Sequence, residues 1–220
     1  MSRKKLEYAK VLLPRLDGEI RSFLETNPYE LDWKKDDQNR PVLYVRKADV
    51  IPDSITNHFG DILHNLRASL DHIEYKQFRT ANPTADASHV YFKIPQDKHR
   101  LQQLHRLDIT DKHRDVLVAG AAFESLNIGA HITETMRKAF GPQFEGATLF
   151  IKPADDLFPL TPGKELFVGE VGGQPTQRMG ARFHIVVHEP PEVEKEEIGR
   201  LLREITTEVE EQHDIADTNS

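Results

Sequence analysis

The stretch GDILHNLRASLDHIEY, from Gly60 to Tyr75, sets two His, two Asp, one Arg and one Asn among residues that otherwise spell a buried helix. Each type suggests a chemistry. His moves protons and ligates metals near neutral pH, Arg grips phosphate or carboxylate through paired N–H donors, and an ionised Asp only accepts. At 100° per residue, Ile62, Leu63, Leu66, Leu70 and Ile73 share an arc of about 100°, and the polar groups form a wall on either side of it. One wall carries His64, Arg67, Asp71 and Tyr75, with Arg67 and Asp71 at i and i+4, able to pair. The other carries Asp61, Asn65, Ser69 and His72. Either the walls build a site, or their side chains bond neighbouring helix ends and loop carbonyls.

A second dense cluster is TDKHRD, residues 110–115. Its place after a helical stretch predicts a loop, in which Lys112, His113 and Arg114 could hold a phosphate or carboxylate. The alternative has Asp111 capping the next segment while His113 or Arg114 pairs with Asp71. Binding candidates are therefore His64, Asn65, Asp71, Lys112, His113 and Arg114, each with a structural role as the alternative. No metal site is expected. His64 and Asp71 lie two turns apart, roughly 10 Å along a helix axis, His184 and His188 are ~13 Å apart on a strand, and HExxH is absent. The sequence also lacks GxxxxGK[ST], GxGxxG and GxSxG, so P-loop, dinucleotide and serine-hydrolase chemistry is unsupported. No cofactor is expected.

These residues need elements to hold them. Leu6, Ala9, Leu13, Leu16, Ile20 and Phe23 form a helical stripe, with a kink or restart expected at Pro14. Tyr29 to Val45, divided by DDQN, reads as a hairpin. Pro52-Asp53-Ser54 opens the central helix, with Asp or Ser as cap, running from 54 to about 79. VYFKIP is strand-like, and Leu101, Leu104 and Leu107 mark another helix. Residues 116–122 fit a small-residue helix or a buried strand equally well. TLFIK, ELFVGEV and ARFHIVVH read as antiparallel strands, the last two joined through Gly172-Gly173. A closing helix buries Val193, Ile198, Leu201, Leu202, Ile205 and Val209. The expected class is α+β: a helical bundle around a long central helix, with a small appended antiparallel sheet. One domain spans 1–220, mainly helical with an early hairpin over 1–140, β-rich over 141–190, and closed by a helix over 191–213.

Composition narrows the function classes. The apolar fraction of 38% supports a core of ordinary size, and no apolar run approaches the ~20 residues of a membrane span. No membrane partner is expected. The absence of Cys removes disulfides and thiolate chemistry and fits a cytoplasmic protein. A net charge of −7 argues against a surface that grips nucleic acid everywhere, but the acid concentrates in 189–217, leaving Arg67, Lys76, Arg79, Lys98, Arg100, Arg106, Lys112 and Arg114 mid-chain for a local basic groove.

HNLRASLDH followed by ITDKHRD resembles a widespread family of bacterial proteins, without an assigned activity, that carry HNLRSALDH-like and DKHR-like segments. The resemblance extends over most of the chain. Arg67 and His72 also match the Arg-x4-His spacing of HEPN-type ribonucleases, a distant resemblance. It implies metal-independent RNA cleavage, with His72 helping the 2′-hydroxyl attack its own phosphate and Arg67 steadying the phosphate charge. Because the two side chains project about 140° apart on one helix, that route implies a homodimer, with RNA as partner. The competing expectation is a non-catalytic binding protein whose two motifs are structural.

Overall fold

Asp53–Ala81 form one long helix because apolar residues recur at helical spacing through it, and Ile55, Phe59, Ile62, Leu63, Leu66, Leu70 and Ile73 are all buried. In the computed structural model, residues 2–113, 119–127, 150–151, 159–169, 171 and 180–218 are described. In chain order they form α1 (Ser2–Glu25), β1 (Tyr29–Lys35), β2 (Pro41–Ala48), α2 (Asp53–Ala81), α3 (His99–His113), β3 (Ala119–Asn127), β4 (Phe150–Ile151), β5 (Glu165–Val168), β6 (Gly180–Val187), a 3-10 turn (Pro191–Val193) and α4 (Ile198–Thr218). The class is α+β. Among the described residues no helix is long and apolar enough to cross a membrane.

The chain divides into two units, one of residues 1–23, 51–119 and 186–220, the other of 24–50 and 120–185. In the first, α2 packs on α3 and on α4, and α3 packs on α4. Leu101, Leu104 and Leu107 of α3 and Ile198, Leu201, Leu202, Ile205 and Val209 of α4 are fully buried, each contributing roughly 1.5–3 kcal/mol. From α1 come Leu6, Ala9, Leu12 and Leu16. Leu12 is buried where Leu13 was expected. Pro14 neither ends nor restarts α1. Arg3 pairs with Asp214 and Asp217 at 2.9 and 2.7 Å, Lys10 with Glu210 at 2.6 Å and Asp17 with Arg203 at 3.0 Å. That order runs α1 antiparallel to α4.

In the second unit β1 and β2 form the expected antiparallel hairpin, and β5 pairs antiparallel with β2. A separate sheet has the order β4-β3-β6, with β3 and β4 antiparallel. The expected pairing of β5 with β6 is therefore wrong. These strands belong to different sheets, a long-range choice that alternating hydrophobicity does not encode.

Three further expectations are corrected. The residue before α2 is Pro52, with no side-chain cap. Residues 90–95 form no strand, because the backbone of Phe92 is engaged by side chains rather than by another strand, as described below. Thr110 to His113 are the last turn of α3 rather than a loop. From residue 119 the chain is strand.

Candidate functional site

The first wall of α2 holds a segment that follows it. Arg67 and Asp71 pair at 2.9 Å through Nη2 and Oδ1, with 8% and 33% of the side chains exposed. The same two atoms take both hydrogen-bonding groups of Phe92: Arg67 Nη2 donates to its carbonyl at 3.3 Å, and its N–H donates to Asp71 Oδ1 at 3.1 Å. An i, i+4 ion pair thus does what a neighbouring strand would do, closing the peptide groups of a non-helical residue. Arg67 Nη1 is buried without a hydrogen-bond partner among the described residues.

Facing this wall is a stripe on α3 with the same i, i+3, i+7 spacing: His105, Asp108 and Lys112. Asp108 is buried, with 5% of its side chain exposed. Lys112 Nζ reaches its Oδ2 at 2.6 Å, and His64 Nδ1 stands 3.5 Å from its Oδ1. That longer separation is too great for a good hydrogen bond, and Oδ1 has no hydrogen-bond partner among the described residues. Burial holds the His105 imidazole below its usual pKa, and the Arg67 charge adds to this. One turn on, burial pushes the Asp111 carboxyl up, helped by Asp108 and Asp61. Asp111 packs against Gly60, where a Cβ would lie 2.8 Å from its Oδ1. Glycine here serves the close approach of α2 and α3.

The second wall does other work. Asn65 donates from Nδ2 to the Asp61 carbonyl at 2.7 Å and accepts Lys5 Nζ, from α1, at 3.1 Å. Ser69 is fully buried and donates to the Leu66 carbonyl at 2.7 Å. His72 is half-buried on this same side. Arg67 therefore turns toward Phe92, and His72 occupies the wall that meets α1.

The structure brings His64 and Lys112 together around Asp108, and joins Arg67 to Asp71. Asn65 and His72 stand apart from both groups. His113 ends α3, and Arg114 lies outside the described residues. His105 and Asp108 were missed, and Asp111 was expected only as a cap. His105 and Asp108, with Lys112, repeat the 64, 67, 71 spacing, which appears only when residues 110–113 are read as helix. Among the described residues no group of three or more His, Asp or Glu is placed to hold a metal ion. No protein-family model matches the chain, and no curated protein or solved structure matches it.

Proposed function

We propose that this is a non-catalytic binding protein in which HNLRASLDH and the α3 stripe hold the scaffold, leaving recognition to the outer surface. The observation that supports this most is the state of Arg67: buried, paired with Asp71, and spent on the Phe92 carbonyl. A phosphate ligand needs the guanidinium fork open to solvent. We also propose a cytoplasmic setting, which suits a chain without cysteine.

A second reading, a HEPN-like metal-independent endoribonuclease, draws support from Arg67 Nη1, a buried donor with no partner among the described residues. It requires RNA as substrate and a homodimer that brings two copies of Arg67 and His72 to one groove.

Incubation with a mixed RNA pool, with and without chelator, beside Arg67→Ala and His72→Ala, separates the two. On the binding reading wild type leaves no 2′,3′-cyclic phosphate ends, Arg67→Ala loses about 2 kcal/mol of stability, and His72→Ala stays within about 1 kcal/mol. Chelator-resistant cleavage, abolished by either substitution with stability unchanged, overturns it. The enzyme reading fails if sedimentation finds only monomer.

A further inference from the structure

Residues 83–92 run back along α2 and are fastened to it at both ends. Arg79 Nη1 donates to the carbonyls of Pro83 and Ala85 at 3.1 and 2.8 Å, and Arg67 with Asp71 holds Phe92. Arg67, Asp71, Tyr75 and Arg79 recur at every fourth residue and so form one ridge of the helix. Tyr75 stands between the two fastenings, 42% exposed, with the Arg79 guanidinium 5.6 Å from its ring centre. From His89 to Ile94 exposure alternates as in an extended chain. His89, Tyr91 and Lys93 are exposed, while Val90, Phe92 and Ile94 are partly covered. Tyr91 is 59% exposed. Lys93 is exposed and engaged in no ion pair among the described residues. The acids nearby in sequence are Asp71, Glu74, Asp86 and Asp97; Asp71 is taken by Arg67 and the Phe92 N–H, and the Asp86 carboxylate by the Ser88 N–H and hydroxyl, both at 2.9 Å.

We infer that this face binds single-stranded nucleic acid, with bases stacking on Tyr91 and Tyr75 and phosphate meeting Lys93. The inference rests on the binding-protein reading above and names its partner. Exposed aromatic rings flanked by cations take single strands because every base offers a π-face and every phosphate a charge. A duplex keeps its bases stacked on one another and offers only the charge. The fastenings hold the extended segment in place before any strand arrives, which lowers the ordering cost of binding.

The test is fluorescence anisotropy of a labelled oligodeoxythymidine of about 16 nucleotides, the upper end of single-site lengths, titrated with the intact protein at low salt. DNA lacks the 2′-hydroxyl, so the result does not depend on whether the protein cuts RNA. Cleavage in the RNA assay would sink the non-catalytic reading and leave this measurement valid. Saturable binding that weakens with salt is expected. Tyr91→Ala should weaken it about fivefold or more, and Tyr91→Phe should retain it. Lys93→Gln should lower the slope of log affinity against log salt by about 0.7. Circular dichroism checks that the variants, all at exposed positions, fold. Four results overturn the inference: no binding, equal binding by Tyr91→Ala, a duplex bound as tightly as the single strand, or binding confined to phosphatidylserine vesicles.

Discussion

Arg67 and Asp108 are buried charges on facing helices, and they are held in opposite ways. Arg67 meets a carboxylate and a backbone carbonyl through one nitrogen, and its partner Asp71 also takes the N–H of the same peptide unit's residue. Asp108 has one oxygen satisfied by Lys112 and the other buried with His64 at 3.5 Å. Around Arg67 the polar groups fasten a connecting segment. Around Asp108 they crowd: burial, with Asp108 and Asp61 close by, pushes the Asp111 carboxyl up, while burial and the Arg67 charge hold His105 down against the pull of Asp108. Similar residue types at the same spacing thus give a fastening on one helix and an electrostatically loaded contact on the other.

The largest effect that tests this contrast comes from removing the acceptor of the fastening. Asp71→Ala leaves Arg67 buried without its counter-charge and frees the Phe92 N–H. A loss of about 2–3 kcal/mol is expected by chemical denaturation, at or below the low end for a broken buried pair because Asp71 is one-third exposed. Protease nicking should appear between residues 83 and 92 before the helices open. A loss under about 0.5 kcal/mol, the spread of neutral surface changes, would mean the fastening carries no load.

Gly60→Ala probes the crowded contact directly. In the native background the new Cβ meets the Asp111 carboxylate at 2.8 Å, and a loss of about 1 kcal/mol is expected. With Asp111→Ala the same change should turn favourable, toward the ~1 kcal/mol by which Ala exceeds Gly inside a helix. Additive effects in this double-mutant cycle would deny the contact.

The smallest effects are in pH dependence. Asp111 has a folded pKa above its unfolded value, so the folded state binds more protons. Stability from this group is present below about pH 4 and declines as pH rises through the folded pKa. Asp111→Asn should remove that decline and raise Tm at neutral pH. His213 on α4 has the opposite sign. It is 2% exposed, and burial, aided by Arg3, lowers its pKa against the opposing charges of Asp217, Asp214 and Glu210. The unfolded state then binds more protons, so its contribution is complete above about pH 6.5 and is lost as pH falls through the folded pKa. Urea midpoints between pH 5 and 7 should be flatter for His213→Gln. Parallel profiles for wild type and variant would show that His213 does not titrate in this window.

Much of the fold was legible because its causes are local. The apolar arc of α2 and the stripe of α4 are buried as their periodicity requires, and the β1–β2 hairpin follows from alternation around DDQN. The Arg67–Asp71 pair was legible for the same reason, since i and i+4 meet on any helix. Residues 110–113 were misplaced because their charges resemble turn chemistry, whereas α3 continues to His113 on the anchorage of Leu101, Leu104 and Leu107.

By itself, then, the amino-acid sequence determined the existence of the four helices and the buried faces of α2 and α4, because periodicity places neighbours on a helix without reference to the rest of the chain. Only the tertiary structure decided that Arg67 and Asp71 hold Phe92, that Asp108 and Asp111 face α2, and that β5 and β6 enter different sheets. Each of those depends on which distant backbone groups and carboxylates are left to be satisfied once the helices have packed, and no spacing within a single segment carries that information.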